Sequence, residues 1–184
     1  MDALCDKKHH YTYADYCKWD DERCELIDGA IYAMSPAPEW KHQRYSGRLF
    51  LQLASFLKGK TCEVFSAPFD VRLNANSDDN TVVQPDIVVI CDHSKLSGTG
   101  CVGAPDLVVE ILSPTTSIRD RTVKLNLYLQ AGVQEYWIVD PEAKTVHAHV
   151  LESGRYFVTC YIGSADVPVH VLDGCTINLP ELFD

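Results

Sequence analysis

The sequence predicts a single α/β domain over residues 1–184, with a mixed β-sheet core flanked by helices. An apolar strand over residues 107–112, a helix over 117–131 ended by Gly132, and a second apolar strand over 133–139 form a candidate parallel strand–helix–strand unit. The chain has 184 residues, 46% of them hydrophobic, which suits one globular core.

Three further elements are predicted before this unit. Thr12, with Asp15 three residues later, predicts the start of a short helix over residues 11–20. Asp28-Gly29 between two apolar segments predicts a hairpin with a primed turn. A stripe of apolar residues predicts a helix over residues 39–58, ended by Gly59. The stripe consists of Tyr45, Leu49, Leu53, Phe56 and Leu57.

The remaining segments are predicted from short β-branched and aromatic runs and from turn residues. They are a hairpin of residues 62–66 and 69–73 around Ala67-Pro68, a strand region over 82–91, a mobile loop over 92–104, and an antiparallel hairpin of residues 146–151 and 156–162. The last of these is expected to be buried, and its edge to pair with a second subunit.

Charge and composition exclude several classes of protein. The net charge of −10 argues against broad, non-specific binding to nucleic acid, although Lys41, Arg44, Arg48, Arg119 and Arg121 could line a local groove. No apolar run is long enough for a membrane helix, and the polar start resembles no signal peptide, so a cytoplasmic location is expected. The eight cysteines lack the spacing of a zinc site and are expected to be reduced.

Glu110 is the most unusual residue of the chain. It is the one charged residue in the run of residues 107–112, and glutamate is almost never buried without a partner. Alternation along the strand places Glu110 on one face with Val108 and Leu112. Either this strand opens into a site, or Glu110 has a structural partner such as an arginine.

Asp86 and Lys124 could converge on Glu110. Asp86 opens the next apolar strand, and two carboxylates on neighbouring strands suit a hard divalent cation. A nearby ammonium could orient an attacking water or balance charge on a phosphate, so the set fits metal-dependent phosphodiester hydrolysis. Alternatively, Asp86 belongs to a turn, and Lys124 forms a solvated pair with Asp120 four residues earlier.

The order of several motifs resembles the Uma-two family of proposed restriction endonucleases, within the PD-(D/E)XK nuclease superfamily. The resemblance covers residues 11–157. The motifs are ELIDGAIYAMSPAP, HQRYSGRLFLQL, APFDVRL, QPDIVVI, APDLVVEILSPTT and RDRTVKLNLYLQAGVQEYWIVDP. This resemblance implies a restriction-endonuclease-like fold, a metal-dependent endonuclease activity on DNA, and Mg²⁺, or Mn²⁺ in its place, as the cofactor.

The resemblance also implies roles for particular residues. Asp86 and Glu110 match the two acids of the motif, as catalytic residues and metal ligands. The usual lysine two positions after the second acid is Leu112 here, and Lys124 on the following helix matches the displaced lysine. Glu25 matches an additional acidic ligand. The auxiliary candidates are His42, Asp70, Gln84 and Asp120, and Arg72 is a candidate ion-pair partner.

Three functions remain open from the sequence. The first is a metal-dependent endonuclease, whose cutting of both DNA strands would suit a homodimer. The second is a non-catalytic binding or assembly protein that keeps the nuclease fold, since a fold does not decide function. The third is a hydrolase with Cys91 as nucleophile and His93 beside it.

Overall fold

The computed structural model describes residues 9–19, 23–34, 39–75, 77–114 and 117–184. The strands are β1 (Cys24–Ile27), β2 (Ala30–Ala33), β3 (Glu63–Ser66), β4 (Asp70–Arg72), β5 (Val82–Val83), β6 (Ile87–Ile90), β7 (Leu96–Ser97), β8 (Gly100–Val102), β9 (Leu107–Ile111), β10 (Glu135–Asp140), β11 (Thr145–Glu152), β12 (Arg155–Ile162), β13 (Asp166–Pro168) and β14 (Thr176–Asn178). The helices are α1 (Tyr13–Tyr16), α2 (Trp40–Leu57), α3 (Ser117–Arg119), α4 (Leu125–Ala131) and α5 (Leu179–Phe183), with a π-helical segment (Asp120–Lys124) and a 3₁₀ turn (His93–Lys95).

Two mixed sheets of six strands each form the framework, in agreement with the predicted α/β class. The first sheet has the order β2-β1-β5-β4-β8-β7, and the second has the order β12-β11-β10-β9-β6-β3. Strands β9 and β10 are parallel neighbours, which confirms the predicted strand–helix–strand unit. The chain crosses between the two sheets several times, and one of these crossings lies between β5 and β6.

The central strands of the second sheet, β6, β9 and β10, are buried on both faces. Leu107, Val109 and Ile111 pack on one side, against α2 and the C-terminal residues. Val108 packs on the other side, with Tyr128 of α4 and residues of the first sheet. This alternation confirms the predicted period of two along β9, and it places Glu110 on the face that meets the first sheet.

Several elements were predicted correctly from local sequence motifs. Asp28 and Gly29 both have positive φ angles, 49° and 74°, as a primed hairpin turn requires. The carboxylate of Asp15 accepts hydrogen bonds from the backbone and side chain of Thr12, which begins α1. Helix α1 ends at Tyr16, earlier than predicted, and residue 20 of the predicted span lies outside the described residues.

The predicted hairpin of residues 62–66 and 69–73 is wrong. Strand β3 pairs with β6 in the second sheet, whereas β4 pairs with β5 and β8 in the first. The predicted strand over residues 82–91 is divided between the sheets in the same way. Short runs of similar composition do not specify which sheet they join, because strand pairing depends on distant partners.

The segment of residues 92–104 is not the predicted mobile loop, since it forms a 3₁₀ turn and the hairpin β7–β8 at the edge of the first sheet. Gly100 allows this edge to approach β4, because a Cβ atom there would overlap the backbone carbonyl of Asp70. The glycines that suggested a loop therefore serve a turn and a close strand contact.

Three more expectations need correction. Cys62 and Cys91 form a disulfide, so these two cysteines are not reduced, and Cys91 is not available as a thiol nucleophile. The predicted C-terminal hairpin is present as β11–β12, but most of β12 is exposed rather than buried. None of the helices in the described ranges has the length and hydropathy that a membrane crossing requires.

Candidate functional site

A cavity of about 830 Å³ lies where the two sheets and the start of α2 meet. Its described walls carry six acidic residues (Glu25, Glu39, Asp86, Glu110, Asp120 and Glu142) against four basic ones (Arg23, Lys41, Arg119 and Lys124), a difference of two negative charges. Seven of the eight candidate residues from the sequence line this cavity: Glu25, His42, Gln84, Asp86, Glu110, Asp120 and Lys124. The fold therefore brings together residues that are up to about a hundred positions apart.

Asp86 and Glu110 lie on adjacent antiparallel strands. Ile87 pairs with Val109, so the next residues outward, Asp86 and Glu110, stand opposite each other. One carboxylate oxygen of Asp86 accepts a hydrogen bond from the backbone N–H of Ile111 at 2.7 Å. This bond holds Asp86 beside the end of β9.

Lys124 is the cation at the centre of the site. Its ammonium lies 2.8 Å from Oε1 of Glu110 and 2.8 Å from Oε1 of Glu25, and 3.9 Å from Oδ1 of Asp120. Only 3% of Lys124 and 5% of Glu110 are exposed. The solvated Asp120–Lys124 pair is therefore the wrong interpretation, and the partner that Glu110 required is a lysine rather than an arginine.

A π-helical segment presents Lys124 to the strands. The segment Asp120–Lys124 lies between α3 and α4, and such wide turns are frequent at functional sites. The hydroxyl of Tyr136 donates to the backbone carbonyl of Asp120 at 3.0 Å, which supports the helix backbone at this irregular point. Both Asp120 and Lys124 are buried against the second sheet as a result.

The acidic side chains of the cluster stabilise the positive charge of Lys124. Burial raises the pKa of Glu110 well above its usual range; Lys124 lowers it, while Asp120, Asp86 and Glu25 raise it further. Burial alone would lower the pKa of Lys124, but the charges of Glu110, Glu25 and Asp120 outweigh burial and raise it. Lys124 therefore stays protonated, whereas burial favours the neutral form of Glu110.

His42 connects α2 to the two acids. Its Nε2 atom lies 3.0 Å from the carbonyl oxygen of Ile111 and 3.2 Å from Oδ2 of Asp86. Burial acts to lower the pKa of His42, but the hydrogen bond to Asp86 and the charge of Asp86 raise it above its ordinary value. The start of α2 thus contacts the ends of both core strands.

Gln84 links two acidic residues, Glu25 in the cavity wall and Asp70 outside it. The backbone N–H of Gln84 donates to Glu25 at 3.1 Å, and its side-chain amide donates to Asp70 at 2.8 Å. Asp70 also accepts hydrogen bonds from Tyr16 and Thr99, and it does not line the cavity. Of the predicted candidates, Asp70 is the one that the fold leaves outside. Arg72 pairs with Asp79 at 2.7 Å, which confirms it as an ion-pair residue.

Sequence reasoning missed Tyr128 as a member of the site. Its hydroxyl donates to Oε1 of Glu110 at 2.9 Å, and the side chain is fully buried. Tyr128 follows Lys124 by four residues, so helical spacing was a signal that could have found it. Arg119 entered the sequence analysis only as a possible groove residue, and its guanidinium lies 3.7 Å from Glu25.

The oxygen donors at the cavity determine whether a divalent cation fits there. No group of three or more His, Cys, Asp or Glu side chains within the described residues is arranged to hold a metal ion by itself. Mg²⁺, however, usually takes one or two carboxylates and completes its shell with water and substrate phosphate. Asp86 and Glu110 meet that requirement, and Oε2 of Glu25 is a buried oxygen without a hydrogen-bond partner. The residues present therefore fit a hard cation with few protein ligands.

A second Pro-Asp pair provides an internal comparison. Pro105-Asp106 precedes β9 as Pro85-Asp86 precedes β6, and Asp106 accepts a hydrogen bond from the backbone N–H of Cys91 at 2.8 Å. Asp106 has no place in the cavity wall. The two aspartates thus share local structure and differ in location.

Comparisons with known proteins agree with this architecture. The Uma2 family model, described as "Putative restriction endonuclease", matches residues 12–179. An uncharacterized protein of Synechocystis sp. is 30% identical over 155 residues, which cover 82% of this chain and 80% of that protein. The crystal structure of a "putative nuclease belonging to DUF820" from Anabaena variabilis has a TM-score of 0.75 and 23% identity. The matched region covers 94% of this chain and 97% of that protein.

Proposed function

Because this chain belongs to the Uma2 family, described as "Putative restriction endonuclease", we propose that it is a metal-dependent endonuclease that hydrolyses DNA phosphodiester bonds. The observation that carries the proposal is the opposed pair Asp86 and Glu110 in a cavity whose described walls carry two more acidic than basic side chains. A divalent cation would neutralise that excess and bring the phosphate of the substrate to the two carboxylates.

Each residue has a defined part in this proposal. Asp86 and Glu110 hold Mg²⁺, or Mn²⁺ in its place, and Glu25 is a third candidate ligand through Oε2, which accepts no hydrogen bond and lies 3.7 Å from the guanidinium of Arg119. When bound, the cation would polarise the phosphate and lower the pKa of an attacking water. Lys124 has three N–H donors, of which two are used by Glu25 and Glu110. The third donor would orient the water or balance charge on the phosphate.

The surrounding residues position these groups. Tyr128 directs the Glu110 carboxylate, and the Ile111 N–H directs Asp86. His42 holds α2 against the Ile111 carbonyl, and Gln84 holds Glu25. Asp120 supplies negative charge that keeps Lys124 protonated. Asp70 orients Gln84 from outside the cavity.

Replacing Asp86 with asparagine is expected to weaken Mn²⁺ binding at least about tenfold, because the variant loses a charged ligand oxygen. Isothermal titration calorimetry measures the affinity. Asp106→Asn is the matched control, since Asp106 has the same local setting outside the cavity. Equal affinities of Asp86→Asn and the parent protein would contradict the metal assignment.

The parent is also expected to nick plasmid DNA with Mg²⁺ or Mn²⁺, and not with EDTA.

A non-catalytic binding or assembly role is the second candidate. It is favoured by Leu112 in the place of the usual lysine, and by the direct neutralisation of Glu110 and Glu25 by Lys124. In that case Lys124 takes the place of a metal, and the acids serve stability. Neither Mn²⁺ binding nor plasmid cleavage by the parent would then be measurable.

We further propose a homodimer formed through β12. In the described part of the chain β12 pairs with β11 alone, and Phe157, Val158 and Ile162 are exposed on it. An unpaired edge strand of eight residues that exposes three apolar side chains is a template for pairing with a second copy. Light scattering is expected to give twice the mass of the chain at micromolar concentration, and Val158→Lys is expected to shift it to the monomer. A monomeric parent would reject the dimer.

A cytoplasmic location, with access to DNA, belongs to the same proposal. The Cys62–Cys91 disulfide weighs against it, since disulfides are rare in cytosolic proteins. The two cysteines lie at neighbouring strand ends, outside the cavity walls, so the proposed chemistry does not depend on their oxidation.

A further inference from the structure

Trp40 is an exposed aromatic residue beside the cavity that the proposed chemistry does not use. It is the first residue of α2, and 67% of it is exposed, the largest fraction among the exposed aromatic side chains of the described residues. The neighbouring Lys41 and Gln43 line the cavity. His42, two residues away, contacts Asp86. Lys41 both lines the cavity and lies over the indole ring, so Trp40 stands at the rim of the cavity.

Two cations flank the indole ring. The ammonium nitrogen of Lys41 lies 5.8 Å, and the guanidinium carbon of Arg44 lies 6.0 Å, from the ring centre. This combination of an exposed aromatic face and adjacent positive charge is how proteins hold single-stranded nucleic acid: a base stacks on the ring, and the cations meet the phosphates on either side.

The charge of the protein favours stacking over duplex binding. A net charge of −10, and cavity walls with an excess of acids, oppose the approach of a duplex with its dense array of phosphates. Stacking of a base on an indole ring does not depend on the net charge. An unpaired strand that needs only two phosphate contacts is thus favoured over a duplex that needs many.

We propose that Trp40, Lys41 and Arg44 form a stacking platform at the mouth of the cavity, which binds an unpaired base next to the phosphodiester bond to be cut. The inference rests on the proposed nuclease function and deepens it: the substrate is single-stranded or locally unpaired DNA. The platform positions the strand, and the carboxylates and Lys124 act on its backbone.

The test is binding of a fluorescein-labelled 12-nucleotide oligothymidine, measured by fluorescence anisotropy in EDTA so that no cleavage occurs. Trp40→Ala is expected to weaken binding by about tenfold or more, and Trp40→Phe, which keeps an aromatic face, by less than about threefold. A 12-base-pair duplex is expected to bind more weakly than the single strand. The slope of log affinity against log salt is expected near −1.4, about −0.7 for each of two phosphates.

Leu51→Ala is the matched control. Leu51 is 65% exposed and lies eleven residues after Trp40 on α2, hence on nearly the same face and about 16 Å farther along the helix. Its replacement is expected to leave binding unchanged. If Trp40→Ala and Leu51→Ala weakened oligonucleotide binding equally, a general loss of apolar surface on α2 would explain the effect, and that result would overturn the platform.

The outcomes separate this inference from the nuclease proposal. Unchanged affinity in Trp40→Ala, no measurable binding of the single strand by the parent, or tighter binding of the duplex would each overturn the platform, whether or not plasmid is cleaved. Loss of binding in Trp40→Ala, with retention in Trp40→Phe, would support the platform even if the parent cleaves nothing. In that case the non-catalytic binding role gains support instead.

Discussion

Replacing Glu110 with glutamine is expected to lower metal-dependent plasmid cleavage by about a thousand-fold, provided that the protein is the proposed nuclease. The substitution keeps the shape of the side chain and removes the charge that would hold the cation against β9. A bound metal contributes several kcal/mol to stabilising the transition state, and each 1.36 kcal/mol corresponds to a factor of ten in rate. Initial cleavage rates at saturating Mn²⁺ measure the effect.

Glu135→Gln is the matched control for this variant. Glu135 is also a fully buried carboxylate of the second sheet, and it accepts hydrogen bonds from Trp137 at 2.6 Å and from the backbone of Val171 at 3.0 Å. It does not line the cavity, so its variant is expected to cleave at the parent rate. A parent-like rate for Glu110→Gln at the same metal concentration would remove Glu110 from the catalytic set.

Replacing Lys124 with methionine is expected to lower the free energy of unfolding by about 3–5 kcal/mol. The change leaves Glu25 and Glu110 buried without the ammonium that lies 2.8 Å from each, and an uncompensated buried charge has a cost of this size. Urea unfolding followed by circular dichroism measures the loss. A loss under about 1 kcal/mol would show that the acids do not depend on Lys124.

Two comparisons separate the structural role of Lys124 from its proposed catalytic role. Lys144→Met breaks an exposed ion pair with Asp184, 3.2 Å long, and is expected to change stability by less than about 0.5 kcal/mol. The double variant Lys124→Met/Glu110→Gln is expected to recover part of the lost stability, because it removes one of the two uncompensated charges. Mn²⁺ affinity is expected to rise in Lys124→Met, as the cation replaces the ammonium, and to fall in Glu110→Gln. A fall of Mn²⁺ affinity in both variants would contradict the assignment of Lys124 as a charge partner and Glu110 as a metal ligand.

Elements with strong local signals could be predicted well. The apolar run over β9 with a single glutamate, the Asp28-Gly29 turn and the stripe of leucines in α2 each depend on residues close in the chain. Periodicity and turn chemistry act over a few residues, so the sequence alone was enough to place Glu110 on one face of a buried strand.

Partner choice between strands could not be predicted in the same way. Strands β3 and β4 are close in sequence and carry similar residues, yet they belong to different sheets. The same difficulty applies to Asp86 and Asp106, which follow prolines and precede apolar strands alike. A difference in long-range packing, which no short stretch encodes, places only the first of them in the cavity.

By itself, the sequence determined the α/β class, the buried strand with its unexplained glutamate, and the acids that match a nuclease motif. Only the tertiary structure decided that Glu110 contacts Lys124 and Tyr128 and stands opposite Asp86. The spacing of Asp120 and Lys124 fits an exposed helix face as well as a buried one. Lys124 is buried because the π-helical segment places it against β9. Its contacts with Glu25 and Glu110 require that β1, β9 and this segment come together, which only the tertiary structure brings about.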